Sequence, residues 1–93
     1  MVESAIESKM CTAFRKRGAM AIKQQNSMAG LPDRLILLPG GRVLWVELKT
    51  KDGKLRPVQE SVIRRLRALG QDVRVVYGLR EAMDLVEETC RDL

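Results

Sequence analysis

The sequence predicts an α/β fold, a mixed sheet flanked by helices, with its elements in the order α-β-β-β-α-β-α. Three observations carry this. Two apolar runs, residues 33–38 and 42–50, flank Pro39-Gly40-Gly41 and read as a hairpin. A helical pattern over 57–69 leads into the apolar run DVRVVY at 72–77, so the helix acts as a crossover to one more strand. Amphipathic stretches near both ends supply helices to cover the sheet. With 93 residues the chain is sized for one domain, spanning 1–93, and not for two.

Each element has a local cause. Residues 3–17 are amphipathic: Ala5, Ile6, Met10, Ala13 and Phe14 recur near the helical period, and Gly18 is a stop. Residues 19–25, AMAIKQQ, form a short and weakly patterned strand. The next stretch, NSMAGLP, is a loop punctuated by Gly30 and Pro32. After the hairpin, TKDGKLR is a polar loop with a turn at Asp52-Gly53. Pro57 suits the first position of the helix over 57–69, and Gly70 suits its end. Its apolar face is Val58, Val62, Ile63, Leu66 and Leu69. The last helix covers 79–91, with Ala82, Met83, Leu85, Val86 and Cys90 as its less polar positions.

The net charge is +5, unevenly spread. Residues 79–93 carry five acids and two bases, a net of −3, so residues 1–78 hold a net of +8. A basic body with an acidic end fits a polyanion partner such as nucleic acid. A soluble, arginine-rich surface is the plainer reading of the same charge. The sequence contains no histidine, which excludes Ser-His-Asp catalysis and His-ligated zinc. Cys11 and Cys90 follow no metal-ligand spacing, and without an export signal they are expected to be reduced and cytoplasmic. No run is long enough to span a bilayer.

The chemistry concentrates between Gly30 and Gln59, in GLPDRLILLPGGRVLWVELKTKDGKLRPVQ. Side chains alternate faces along a strand, so Val43, Trp45, Glu47 and Lys49 share one face, and Glu47 lies roughly 6.5–7 Å from Lys49 along the backbone. Trp45 is expected to lie deeper than Glu47, in a core that runs out into a site. The hairpin sets a condition on Asp33. A two-residue loop at Gly40-Gly41 pairs Leu38 with Val43 and points Asp33 away from Glu47. A three-residue loop pairs Leu38 with Arg42 and brings Asp33 opposite Glu47. A bulge does the same. Alone, Asp33 reads as a turn residue and E-x-K as a common pair. Together they offer two converging carboxylates for a hard divalent cation such as Mg²⁺, which activates water and offsets charge on phosphate. Lys49 is placed to orient that water.

Pro32-Asp33 and Glu47-Leu48-Lys49 resemble the signature of the PD-(D/E)XK nucleases, whose restriction-endonuclease-like core has a similar α-β-β-β-α-β order. More narrowly, Gly30-Leu31-Pro32-Asp33, Glu47-Leu48-Lys49 and Gln59 resemble the VRR-NUC branch. In that branch an acid on the first helix belongs to the site, and Glu3 matches its position; Glu7, one turn on, is the alternative. The resemblance covers residues 3–78. It implies a Mg²⁺- or Mn²⁺-dependent endodeoxyribonuclease. Asp33, Glu47 and the backbone carbonyl of Leu48 would hold the ion, and Glu3 the ion or its waters. Lys49 would serve the attacking water and Gln59 would support it. It also implies a homodimer acting on branched DNA in the manner of a Holliday junction resolvase, suited to a phage or mobile element.

Simpler readings stand beside these. Glu3 is also a favourable charge at a helix N-terminus, and Gln59 a polar residue in a first turn. Lys51, Lys54 and Arg56 could track a phosphate backbone or form a solvated loop. A non-catalytic nucleic-acid-binding module on the same fold, and a duplex or flap nuclease of restriction or repair type, are the competing functions.

Overall fold

The computed structural model describes residues 1–25 and 27–91. Helix α1 (Glu3–Lys16) is followed by strands β1 (Met20–Lys23) and β2 (Arg34–Leu38), a 3₁₀ turn over Pro39–Gly41 and strand β3 (Arg42–Lys49). Helix α2 (Pro57–Ala68), strand β4 (Val73–Tyr77) and helix α3 (Gly78–Thr89) complete the order α-β-β-β-α-β-α. The sheet order is β1-β2-β3-β4. The β1–β2 and β2–β3 pairings are antiparallel, and β3–β4 is parallel, as the α2 crossover requires.

Helices α1 and α3 cover one face of the sheet. Ile6, Met10, Cys11 and Phe14 from α1 and Ala82, Leu85, Val86 and Cys90 from the α3 end enclose Ile36, Leu44, Val46 and Leu48. Phe14 and Met10 are wholly buried; truncating either to alanine would cost about 2–5 kcal/mol. Cys11 and Cys90 are buried free thiols within this layer, and desolvation pushes the Cys11 thiol up. Helix α2 lies on the opposite face, where Val62, Ile63 and Val73 are buried apart from the main cluster. Its apolar stripe is narrower than the sequence predicts. Val58 and Leu69 are exposed, and the sheet strand that α2 packs on is β4. Among the described residues no helix is long and apolar enough to cross a membrane.

The hairpin takes the three-residue form. Leu38 pairs with Arg42, and the ladder runs to Arg34 opposite Val46. Pro39 opens the turn, and Gly40 and Gly41 follow with φ of 82° and 80°, values that side chains with a Cβ rarely adopt. The register therefore carries Asp33, one step beyond Arg34, to the level of Glu47.

Strand β1 is shorter than the 19–25 stretch. It ends at Lys23, and Gln24 and Gln25 enter the loop. The Gln24 amide donates to the Asp33 carbonyl at 2.7 Å, which closes that loop at its base.

Candidate active site

The site forms where β3 outruns β2. Residues 47–49 keep their β4 partners, Val75, Val76 and Tyr77, but the β2 ladder stops at Val46. The Trp45 amide donates to the Asp72 carbonyl on the β4 side at 2.8 Å. Backbone groups alternate sides along a strand, so the Leu48 carbonyl is directed to the β2 side, where no ladder covers it.

Glu47 is the core of the arrangement. Only 1% of it is exposed, and its Oε1 is buried without a hydrogen-bond partner. Lys49 Nζ stands 3.9 Å from Oε2, too far for a close charge-assisted bond. Desolvation pushes the Glu47 carboxyl from 4.5 up to about 7, and the Asp33 charge adds to the rise. Lys49 and the Asp33 backbone amide oppose it, and Glu3 contributes a smaller further increase. A buried carboxylate with an orphaned oxygen, a second carboxylate beside it and one ammonium within reach is an unbalanced electrostatic arrangement.

Burial along this face runs opposite to the sequence expectation. Val43 is exposed, Trp45 is half-buried and Glu47 is buried. Trp45 is not the deep residue: its Nε1 donates to Gln71 Oε1 at 3.0 Å near the surface. Burial thus rises along this face of β3 toward the Glu47 end.

The two helix acids separate clearly. Glu7 is engaged by Arg34 at 3.3 Å and Lys23 at 3.5 Å. Glu3 has no such ion pair among the described residues, and its charge is felt at Glu47. Gln59 is buried at the third position of α2, and its Oε1 accepts the Arg56 backbone amide at 2.8 Å. The acceptor oxygen is thus used as a helix cap, leaving its NH₂ as the remaining donor. Arg56 lines a cleft together with Asp33 and Gln59. Lys51 lies elsewhere, in a cleft with Tyr77 and Arg80, and Lys54 is exposed in the loop between them. The three loop bases are therefore not gathered at one point. Arg67 of α2 reaches back so that its Nη2 donates to the Val73 carbonyl at 2.8 Å. Sequence reasoning missed Gln24, Gln25 and Met28, which line the same cleft as Asp33. The available signal was that QQ breaks the alternation of AMAIK.

Among the described residues no three acidic or thiol side chains converge into an all-protein metal cage. The donors present are all oxygen: two carboxylates, an open backbone carbonyl and a more distant glutamate. Such a set fits Mg²⁺, which keeps several waters and takes one or two protein carboxylates. The orphaned Oε1 of Glu47 is the group that a cation would satisfy.

Comparison with known proteins agrees with the fold. The VRR-NUC domain family matches residues 2–79. The phage protein p44 of Acyrthosiphon pisum secondary endosymbiont phage 1, provisionally named a nuclease, is 39% identical over 75 residues, covering 80% of this chain and 81% of that protein. A solved VRR-NUC domain superposes with a TM-score of 0.84 at 29% identity, covering 91% of this chain and 94% of the other. A Holliday junction resolvase, Hjc of the archaeal hyperthermophile Archaeoglobus fulgidus, shares the fold with a TM-score of 0.55 at 20% identity, covering 75% of this chain and 64% of that one.

Proposed function

The chain belongs to the VRR-NUC nuclease family, and from that premise we propose that it is a metal-dependent, structure-selective DNA endonuclease acting on branched DNA. The observation that carries this reading is the buried Glu47 carboxylate, its Oε1 without a partner, beside Asp33. Asp33, Glu47 and the Leu48 carbonyl would hold Mg²⁺ or Mn²⁺, with Glu3 toward its waters. The ion would supply positive charge at the phosphate and a more acidic water. Lys49 orients the attacking water and draws off negative charge as the phosphorus–oxygen bond to the leaving group breaks. No covalent intermediate is needed. The Gln59 NH₂ donates toward the reacting oxygens. The intact set of Asp33, Glu47 and Lys49 favours an enzyme over a binding-only module.

Branched DNA is the substrate we infer, with DNA shape as the main recognised feature. The fold shared with a junction resolvase supports the same choice. Two symmetric cuts need two sites, which a two-fold dimer supplies. Met20, Ile22 and Val43 leave apolar surface open on the Glu47 face of the sheet, beyond α2. A second copy is the occupant inferred there. Action in the cytoplasm of a bacterial or phage-infected cell goes with this reading, and the phage relative supports it.

The test is a panel of labelled four-way junctions, flaps and linear duplexes, with Mg²⁺ or Mn²⁺, and Asp33→Asn run beside the wild type. Junction cutting by the wild type, lost in Asp33→Asn with binding retained, is the expected result. If the wild type cuts none of these DNAs, the enzyme reading fails. Equal cutting of junctions and their linear arms would refute branch selectivity. Sedimentation gives the oligomeric state, and Met20→Lys should shift a dimer toward monomer.

A further inference from the structure

Beside the carboxylate pair lies a cleft of about 340 Å³ whose walls include Asp33, Arg56, Gln59, Gln24, Gln25 and Met28. It is continuous with the site, because Asp33 belongs to both. Its lining differs from that of a phosphate track: it has three neutral carboxamides, a single guanidinium and one flexible thioether. Carboxamides carry a donor and an acceptor side by side, the pattern that matches the edge of a base. An arginine serves a phosphate. An unbranched methionine packs adaptably against flat apolar surfaces.

The cleft is held in shape. The Gln24 amide bond to the Asp33 carbonyl closes the loop at its neck. Gly30, with φ of 90°, presses the loop onto α2 so closely that a Cβ there would lie 2.6 Å from the Val58 carbonyl oxygen. The acceptor of Gln59 is occupied by the Arg56 amide, so it presents only its donor. Among the described residues, the Gln24 and Gln25 side chains have no hydrogen-bond partner in the protein. Met28 is 43% exposed, at the boundary with a smaller apolar recess formed by Leu31, Val62 and Leu66. Structural explanations are thus available for Gly30 and for the Gln59 oxygen, but not for the amides of Gln24 and Gln25 or for the exposed thioether.

The geometry points to a subsite for one unpaired nucleobase, that of the nucleotide adjoining the phosphate to be cut. The base edge meets the carboxamides of Gln24 and Gln25, its face meets Met28, and its own phosphate meets Arg56, with Gln59 at the boundary with the reacting oxygens. The inference rests on the nuclease reading and deepens it. A cleft of this size admits a single nucleotide and not a duplex, so it fills only where a base is free of its partner, as at a branch point. Selection for branched DNA would then come in part from this pocket, with some preference for base identity at one position.

The experiment uses four-way junctions carrying 2-aminopurine at one position at a time around the branch, mixed with the full chain in Ca²⁺. A fluorescence change of several-fold is expected at one position next to the cut, and little at the others. The double variant Gln25→Ala/Met28→Ala, at exposed positions and checked by thermal melting, should lose that change. It should also reduce an approximately tenfold preference among bases at that position, the scale of one base-edge contact, to about twofold in Mg²⁺. If no position responds, or the response survives in the double variant, the pocket does not take a base. An arginine-only phosphate site would give that same negative result and also overturns the inference. Fluorescence is read without cleavage, so an inactive protein would refute the nuclease reading while this binding result still stands or falls independently.

Discussion

Glu47→Gln should make the metal-free protein more stable at pH 8, although it removes a central residue of the site. The wild-type carboxyl is 1% exposed with an orphaned oxygen, and its pKa stands at about 7 against an ordinary 4.5. Between those two values the folded chain binds more protons than the unfolded chain. The stability associated with the protonated Glu47 is therefore complete below pH 4.5, falls as pH rises and is gone above about pH 7. The span corresponds to about 3 kcal/mol, a large share of the roughly 5–10 kcal/mol holding a domain of this size. Glutamine keeps the shape and cannot ionise. Its buried NH₂ needs a partner, so a gain of about 2 kcal/mol is expected at pH 8 and almost none at pH 5. Urea denaturation of both proteins at the two pH values, in EDTA, measures the difference; groups that titrate alike in both cancel. Adding Mg²⁺ at pH 8 should then stabilise the wild type and leave Glu47→Gln unchanged. A variant less stable than wild type at pH 8 in EDTA would refute the argument, because it would mean that the ionised carboxylate is well satisfied by the protein alone.

Three other outcomes follow from the same geometry. Deleting Gly41 shortens the turn and breaks the Leu38–Arg42 register, so metal-dependent cleavage should be lost; wild-type cleavage by the deletion variant would show that the register does not place Asp33. Gly30→Ala forces a Cβ against Val58 and Val62 and should cost about 2–4 kcal/mol in urea denaturation, with a change under 0.5 kcal/mol counting against the close approach. Glu3→Gln should weaken the response of cleavage to Mg²⁺ by about tenfold, whereas Glu7→Gln, which leaves Arg34 and Lys23 without their acid, should lower stability by about 1–3 kcal/mol and leave the Mg²⁺ dependence in place; the opposite assignment in a metal titration would reverse the roles of the two acids.

Much of the framework is local and therefore legible in the sequence. Periodicity places every helix and strand within a residue or two, because the 3.6 and 2.0 repeats are properties of a few neighbouring residues. Pro57 and the acceptor at Gln59 mark the start of α2 for the same reason. The Asp33 and E-x-K spacing is likewise readable, since it places these residues on two strands joined by one short turn. Proline followed by two glycines limits the turn to a short menu.

The choice within that menu belongs to the tertiary structure. Two- and three-residue loops suit the same sequence locally, and only the packed ladder selects Leu38 opposite Arg42. Desolvation of Glu47 depends on how the elements pack around the end of β3, which no local pattern encodes; the same long-range packing leaves Trp45, Val58 and Leu69 more exposed than their hydrophobicity suggests. Glu3 and Glu7 share a helix face and differ only once β2 brings Arg34 to one of them. The cleft around Gln24 and Gln25 needs the loop folded back on α2, through a contact at Gly30 with residues nearly thirty positions away. Local pattern is enough to say which groups could do chemistry and on which elements they ride. Their charge state, their partners and the surface they present follow from long-range packing, because burial and Coulomb interactions depend on distance in space and not along the chain.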